Sequence, residues 1–245
     1  MKLSVRRKRI VLIACAVLLI VIIIALIIAM PLLQMRPAKT GRIDGTGVIA
    51  VNNGMCSVFL IESSEGYILI DAGSNPGRLE KSLDDLGVSL SDIKNVFLTH
   101  SDGDHVAALP LFPGAVVYMS EDEVQMTDGR TKRNSGSSNS LPDKDEPYVI
   151  TPLINDARLT IGGREIRCVK APGHTPGTMV YIVDDSYVFT GDAFLIRTNR
   201  VGVHPFTMDK ETSEMTIKSL ITDIRETQLT FTAHYGYHDS PDLHE

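Results

Sequence analysis

The sequence predicts an α+β protein, a sandwich of two β-sheets covered by helices, behind an N-terminal transmembrane helix. Three observations lead to this prediction: an unbroken apolar run, short β-rich runs separated by turns, and helical segments that recur among those runs. With 43% hydrophobic and 22% charged residues, the composition is that of a globular chain. The predicted segments are a basic N-terminus at 1–9, a signal anchor at 10–30, a linker at 31–44 and one folded domain at 45–245.

The apolar run at 10–30 contains 21 consecutive residues, enough to cross a hydrocarbon core of about 30 Å as a helix. It is longer than the apolar core of a secretory signal, which has about 7–15 residues. Basic residues precede the run (Lys2, Arg6, Arg7, Lys8 and Arg9), so the positive-inside rule places the N-terminus in the cytoplasm. We therefore expect a single-pass protein of the cell membrane with an extracytoplasmic domain.

Strands and helices come twice in a similar order along the domain, which fits two sheets with helices on their outer faces. The predicted elements of the first half are strands at 47–51, 56–61 and 66–71, a helix at 79–86, a strand at 94–99, the start of a helix at 106 and a strand at 115–119. Those of the second half are strands at 157–161, 165–170, 178–183 and 187–190, a helix at 210–224 and a strand at 229–232.

Between the two halves, residues 121–147 are polar and lack apolar periodicity. Two interpretations of this segment stay open. It is either a solvated excursion or a mobile cover over an active site, since long loops in compact domains are often lids.

Charge and cysteine content exclude several classes of protein. After the first nine residues the chain carries 19 basic and 30 acidic residues, a net charge of −11. This balance argues against a nucleic-acid partner, whose phosphates require Lys and Arg, and leaves a small-molecule substrate as the expectation. Cys56 and Cys168 lie in apolar runs and are interpreted as two buried free thiols rather than a disulfide.

Metal-binding side chains follow several of the β-rich runs directly. The candidates are His100, Asp102, Asp104 and His105 within six residues, His174 on a turn flanked by proline and glycine, Asp192 at a strand end, and His234 after the last strand. Imidazoles and carboxylates are ligands that zinc, iron and manganese accept. Without a cation, so many acidic groups in one place would repel each other or require costly burial. The pattern predicts a centre of two divalent metal ions.

With these motifs the chain resembles the metallo-β-lactamase superfamily, whose signature is a Thr-His-x-His-x-Asp-His loop with later His, Asp and His ligands. The resemblance extends over residues 45–245 and includes Leu69-Ile-Asp-Ala-Gly73 ahead of the signature. It implies a four-layer αββα sandwich with a two-metal site at one sheet edge.

The resemblance also implies a role for each candidate. One metal would be held by His100, Asp102 and His174; the other by Asp104, His105 and His234; Asp192 would bridge them, and Asp71 would orient the signature loop. His238 is a rival for the place of His234. His204, which comes soon after Asp192, is interpreted as a surface residue, with a place in the lining of the pocket as the alternative.

The chain departs from the family pattern at Asp102, where the usual signature has its second histidine, giving an HxDxDH variant. An anionic oxygen there replaces a neutral nitrogen. Zinc is the first expectation for the two ions, and iron or manganese is the alternative.

The resemblance implies a metal-dependent hydrolase in which a water between the two metals attacks the substrate and Asp104 orients that water and accepts a proton. An ester, thioester, lactone or phosphodiester-type substrate remains open. The alternatives are a di-iron redox or sensor protein, a phosphodiesterase or nuclease-like domain, and a non-catalytic binding module.

Overall fold

The computed structural model describes residues 5–137, 139–142 and 148–244. It divides into two units, Met1–Met35 and Arg36–Glu245. The first unit contains helix α1 (Val5–Leu33), and the second contains the sheets and the remaining helices. The two units are described separately.

Helix α1 covers the predicted membrane anchor, and its described side chains from 12 to 27 are exposed. The side chains at 10, 11, 28 and 29 lie outside the described residues. Among those that are described, no helix provides a stretch long and apolar enough to cross a membrane. The structure therefore does not support the predicted transmembrane helix.

The first sheet of the second unit has seven strands in sequence order. Strands β1 to β4 pair antiparallel, whereas β4 to β7 pair parallel. Their bounds are β1 Gly41–Ile43, β2 Val48–Asn52, β3 Ser57–Ser63, β4 Gly66–Ile70, β5 Ile93–Phe97, β6 Val116–Ser120 and β7 Val149–Leu153. Strand β1 lies within the predicted linker, so the folded unit begins before residue 45.

The second sheet has six strands in the order β15-β14-β11-β10-β9-β8, in which only β11 and β14 pair parallel. A separate two-stranded ribbon, β12-β13, completes the β structure in the described residues. The bounds are β8 Ala157–Ile161, β9 Arg164–Lys170, β10 Met179–Val183, β11 Tyr187–Phe189, β12 Leu195–Arg197, β13 Arg200–Gly202, β14 Leu229–Thr232 and β15 Gly236–Asp239.

The two sheets pack face to face through an aromatic core. The ring of Phe59 on β3 lies 5.6 Å from that of Phe189 and 5.2 Å from that of Phe231, both on the second sheet. Phe97 on β5 meets Tyr181 on β10 edge to face at 5.1 Å, an arrangement that aromatic rings prefer. This core holds the strand ends of both sheets in fixed register, and those ends carry the candidate ligands.

Helices cover the outer faces, which gives the predicted four-layer αββα sandwich. Helix α2 (Pro76–Asp85) packs Leu79 and Leu83 on the first sheet, and α5 (Lys210–Arg225) packs its apolar stripe on the second. Helix α2 begins at Pro76 because the side chain of Asn75 accepts a hydrogen bond from the backbone N–H of Arg78.

One predicted helix was misplaced. Helix α3 (Gly103–Val106) ends at Val106, where the sequence predicted a helix to begin. The helical turn therefore belongs to the signature loop itself, and Pro110 follows within a short 3-10 turn (Leu109–Leu111). The last short helix, α4 (Val124–Thr127), lies in the polar segment between the two halves.

The cysteine interpretation agrees with the structure. Cys56 and Cys168 are buried and unpaired, and burial raises the pKa of the Cys168 thiol to about 12.

Candidate metal centre

The candidate ligands meet because parallel neighbouring strands end at the same edge of each sheet. Strands β4 and β5 are parallel neighbours, so Asp71 and the 99–105 loop emerge side by side. Strands β11 and β14 are parallel neighbours in the second sheet, which brings Asp192 and His234 together. His174 comes from the turn between β9 and β10, which is closed by a hydrogen bond from Ala171 N–H to Thr178 O. The site is thus assembled from both sheets.

Close approach of the two sheets depends on glycine. Gly191 precedes Asp192 with a φ of +51°, and a Cβ there would collide with Thr99 Oγ1 of the signature loop. Glycine is the residue that adopts this backbone conformation without strain and leaves the space free. A larger residue at 191 would push the Asp192 strand end away from the signature loop.

The structure brings all seven predicted ligands together, six of them in two adjoining groups and Asp192 between the groups. In the first, Asp102 Oδ2 lies 3.1 Å from His174 Nε2 and 3.4 Å from His100 Nε2. In the second, Asp104 Oδ2 lies 3.4 Å from His234 Nε2 and 3.9 Å from His105 Nε2. Within each group one ligand atom per residue lies within 4.8 Å of the others, a spacing that one ion could fill.

Asp192 lies between the two groups. Its Oδ2 is 3.2 Å from His234 Nε2, 3.6 Å from His174 Nε2 and 3.7 Å from His105 Nε2, and thus faces imidazoles of both groups. The side chain is buried, and its Oδ1 has no hydrogen-bond partner in the described residues. Asp192 therefore has the position that a bridging carboxylate needs.

The donor atoms fit a resident metal. His100 Nε2 and His105 Nε2 are buried and have no hydrogen-bond partner in the part of the chain that the structure describes. Buried polar atoms are normally satisfied, so a cluster of unsatisfied nitrogens and carboxylate oxygens aimed at one point calls for a cation. The set contains imidazole and carboxylate donors with no thiolate, which suits zinc, iron or manganese.

The opposite ring nitrogens of three histidines are held by neighbours. His105 Nδ1 contacts Asp71 Oδ2 at 2.8 Å, and His234 Nδ1 contacts the Met55 carbonyl oxygen at 2.7 Å. His100 Nδ1 lies 3.1 Å from Thr99 Oγ1, whose hydroxyl also reaches the Asp71 carboxylate at 2.8 Å. Asp71 thus fixes the signature loop in the way that the resemblance implies for it. Such contacts orient a metal-binding imidazole and set which nitrogen faces the metal.

Burial and neighbouring charges shift the pKa values in the cluster. Burial opposes the charge of Asp102, yet the neighbouring imidazoles of His100 and His174 outweigh it and lower the pKa of that carboxyl far below its usual range. Burial lowers the pKa of His174 to about 4. For His105, burial is outweighed by Asp71, Asp104 and Asp192, whose carboxylates raise the pKa of that imidazole well above 6.5. A divalent cation would displace the proton from His105, so metal binding is coupled to proton release.

The polar segment at 121–147 contacts the site. The sequence alone left open whether this segment is a solvated excursion or a cover. In its described part, Arg133 Nη2 lies 3.3 Å from Asp102 Oδ2, and Asn139 Nδ2 donates to Asp102 Oδ1 at 2.7 Å. Arg133 also donates to the backbone carbonyls of His174 and Phe206. No sequence pattern marked Arg133 or Asn139, because their function depends on a carboxylate more than 30 residues away.

Glu123 fastens the start of this segment. Its buried carboxylate accepts hydrogen bonds from the backbone N–H and the hydroxyl of Ser101, from the Thr175 hydroxyl and from the Gly177 N–H, at 2.6 to 3.1 Å. One carboxylate therefore ties the signature loop to the His174 turn. The segment from 121 is anchored, and the solvated-excursion interpretation is wrong for this part of it. Residues 138 and 143–147 lie outside the described residues.

Two further histidines differ in their surroundings. His204, interpreted from the sequence as a surface residue, is 2% exposed, and its Nε2 lies 3.7 Å from Asp192 Oδ2. Its pKa is lowered to about 3 by burial. His238, the rival of His234, lies outside the cluster, and its Nε2 contacts the backbone carbonyl of Tyr235 at 3.1 Å. The only signal for His204 was its position soon after Asp192.

Comparison with known proteins agrees with the family that the sequence motifs resemble. A family model described as the metallo-beta-lactamase superfamily matches residues 51–228. A probable metallo-hydrolase of Mycobacterium tuberculosis is 25% identical over 254 residues, covering 87% of this chain and 79% of the relative. A probable polyketide biosynthesis zinc-dependent hydrolase of Bacillus subtilis is 30% identical over 139 residues, covering 55% of this chain and 53% of that protein.

Solved structures show the same fold. A metallo-β-lactamase family protein from Thermus thermophilus matches with a TM-score of 0.59 at 19% identity, over 79% of this chain and 75% of the other. At this identity, the likeness concerns the fold alone.

Proposed function

The chain belongs to the metallo-β-lactamase superfamily, and on that basis we propose that it is a dinuclear metal hydrolase acting on a small ester-type substrate. The observation that supports this proposal is the pair of ligand groups with Asp192 between them. His100, Asp102 and His174 would hold one ion, and Asp104, His105 and His234 the other. The relatives' names include metallo-hydrolases and a zinc-dependent hydrolase, so zinc is our first choice of metal.

Two divalent ions would lower the pKa of a water toward about 7 and polarise the scissile group of the substrate. The chain's own residues would orient the water, accept its proton and hold the ligand rings in place. Asp104 is the most exposed of the seven ligands, with 34% of its side chain accessible, and its carboxylate would orient the water and accept its proton. Asp71 holds the His105 ring through Nδ1, which keeps Nε2 directed at the centre.

The surroundings of the site support a small substrate. A cavity of about 250 Å³ is lined by Arg133, Asn134, Ser135, Pro205, Phe206, Thr207 and Met208, and Arg133 connects it to the centre by its contact with Asp102. This volume is below the range of about 300–1,000 Å³ that is common for drug-sized ligands. The net charge of −11 after the first nine residues opposes long polyanions. We therefore favour an ester, thioester or lactone over a nucleic acid, with small phosphodiesters as the next choice.

Metal analysis combined with a substrate panel tests this proposal. The full chain, purified without chelators, would be assayed for metal content and for turnover of a thioester, a lactone, a β-lactam and bis-p-nitrophenyl phosphate. We expect close to two equivalents of zinc and chelator-sensitive turnover of one substrate class. Two equivalents of iron with no turnover would favour the redox or sensor alternative, for which the carboxylate at Asp102 is the supporting feature. Less than one equivalent of any metal after reconstitution would contradict the ligand assignment.

For the location, our proposal rests on the sequence. The 21 apolar residues at 10–30 and the five preceding basic residues support a single-pass membrane protein with its hydrolase domain outside the cytoplasm. Alkaline carbonate extraction of cell membranes would leave such a protein in the pellet, and a variant lacking residues 1–30 would move to the soluble fraction. Recovery of the full chain in the carbonate supernatant would contradict the anchor.

A further inference from the structure

His204 is a buried histidine beside the metal centre, and its two ring nitrogens are unsatisfied in the part of the chain that the structure describes. It follows strand β13 and is 2% exposed. Neither its Nδ1 nor its Nε2 has a hydrogen-bond partner in the described residues. A neutral imidazole has one N–H donor and one nitrogen lone pair, and leaving both unsatisfied in the interior is costly. A purely structural role in the core would not offset that free-energy cost.

The Nε2 atom of His204 faces the metal centre. It lies 3.7 Å from Asp192 Oδ2, and the His204 ring centroid is 5.0 Å from that of His174. One ligand atom each of His174, Asp192 and His204 lies within 4.8 Å of the other two. This third group shares His174 with the first predicted site and Asp192 with the bridging position.

The loop that carries His204 is fixed to the His174 turn. The backbone N–H of Met208 donates to the His174 carbonyl at 3.2 Å, and Thr207 N–H donates to the His204 carbonyl at 3.1 Å. The Arg133 guanidinium joins the same two segments, because it donates to the carbonyls of His174 and Phe206. His204 is therefore held in register with His174, as a ligand to a shared ion must be.

We propose that His204 is an eighth ligand of the centre, which offers Nε2 to the ion that His174 and Asp192 share. This inference rests on the proposed function, since it assumes that the centre holds metal. The signature of this chain has lost one imidazole at Asp102, and His204 returns a nitrogen donor from a different segment. A nitrogen donor in place of a further oxygen favours zinc over manganese at that ion.

Metal titration of the apo form of the full chain tests the proposal. Zinc binding would be followed by calorimetry and cobalt(II) substitution by visible absorption, for wild type, His204→Ala and the matched control His238→Ala. His238 is a histidine on strand β15 that contacts the Tyr235 carbonyl and lies outside the cluster. We expect His204→Ala to weaken one of two zinc sites about 10- to 100-fold and to change the cobalt absorption bands, with His238→Ala unchanged in both.

The outcomes separate this inference from the proposed function. If wild type binds no metal, the proposed function fails. If wild type and His204→Ala bind two zinc ions with equal affinity and give the same cobalt spectrum, the proposed function stands and His204 is not a ligand.

A second pair of variants distinguishes the loss of a metal ligand from misfolding. His204→Asp supplies a carboxylate that can bind metal, whereas His204→Leu fills similar space without a donor. We expect His204→Asp to recover most of the lost affinity and His204→Leu to recover none, while apo His204→Leu unfolds at a temperature no lower than apo wild type. A loss of apo stability in His204→Leu with metal affinity retained would overturn the inference in favour of a structural role.

Discussion

Asp102 places a carboxylate where the family signature has an imidazole, and the structure surrounds it with compensating donors. Arg133 contacts one carboxylate oxygen and Asn139 the other. With two divalent ions, the carboxylates of Asp102, Asp104 and Asp192 leave a net charge of +1, and the Arg133 guanidinium raises it to +2. A site with histidine at position 102 would carry +2 without an arginine. In the proposed dinuclear centre, Arg133 would therefore restore the net charge that the carboxylate at 102 removes.

Arg133→Met removes this positive charge while keeping a side chain of similar reach. Because a nearby cation favours the deprotonated form of the attacking water, its loss raises the pKa of that water. We expect the acidic limb of the pH profile of kcat/KM to move up by roughly one pH unit. The control is Arg130→Met, which loses an exposed arginine paired with Asp128 on the same segment. Identical pH profiles for the two variants would contradict this function of Arg133.

The buried thiols give a prediction that is independent of metal. Burial raises the pKa of Cys168 to about 12, so at pH 8 its thiolate fraction is roughly 10³-fold below that of an ordinary cysteine. We expect Cys168 to resist iodoacetamide in the native protein up to about pH 10 and to react at once in denaturant, as followed by mass spectrometry. Because the folded state favours the neutral thiol, this contribution to stability is complete below pH 9 and is lost as the pH rises toward 12. Rapid native alkylation would show that Cys168 is accessible.

The seven candidate ligands could be predicted from sequence because each comes directly after an apolar run and four of them lie in one short motif. The residues that contact these ligands and hold their loops could not be predicted from sequence. Arg133, Asn139 and Glu123 lie in a polar segment without periodicity, and only the folded chain brings them to Asp102 and Ser101. His204 stands alone in the sequence, and its position soon after Asp192 does not by itself distinguish a buried residue from a solvated one.

At the scale of elements, the segment that begins at Glu123 behaves as a clamp between the two halves of the domain. Its carboxylate binds the signature loop through Ser101 and the His174 turn through Thr175 and Gly177. The approach is so close that a Cβ at Gly177 would collide with the Glu123 backbone. Ligands from the first sheet and the second are thereby kept in one place.

Glu123→Gln tests this clamp. The amide would present an N–H group to donors that now meet a carboxylate oxygen, in a position with no solvent to relieve the conflict. We expect the free energy of unfolding, measured with urea, to fall by about 3 kcal/mol. The control Glu121→Gln alters a half-exposed carboxylate that pairs with Lys170. We expect this control to change the free energy of unfolding by less than about 0.5 kcal/mol. Equal effects would show that the buried carboxylate has no special function.

The strands that the sequence missed are short, polar or marginal. Strand β1 has three residues, β7 contains Pro152, and β15 is the polar run Gly-Tyr-His-Asp at a sheet edge. The ribbon β12-β13 turns through Thr198 and Asn199, both with positive φ, as a two-residue hairpin requires. Apolar periodicity detects none of these, because they are placed by pairing with neighbours rather than by burying an apolar face of their own.

For the whole molecule, the centre joins both sheets, and so the metal ions should stabilise the entire domain. At a free ion concentration of about 1,000 times Kd, each bound ion contributes about 4 kcal/mol, so two ions contribute about 8 kcal/mol. For a domain of this size, that corresponds to a change in Tm of roughly 20 °C. We expect chelation to lower Tm by this amount and added zinc to restore it, as measured by calorimetry. Magnesium should fail to restore the Tm, because four of the seven donors are imidazoles. An unchanged Tm after complete demetallation would show that the ions are not coupled to folding.

Because the ligand set is assembled from strand ends of both sheets, the order of folding and metal binding is constrained. Residues 100–105 come from the first sheet and 174, 192 and 234 from the second, so neither sheet alone offers a full coordination sphere. Metal capture must therefore follow the docking of the sheets, and it cannot guide the first half of the chain while the second is still being made. The ion that the protein acquires is then set by the compartment in which docking is completed, since availability decides between metals of similar affinity.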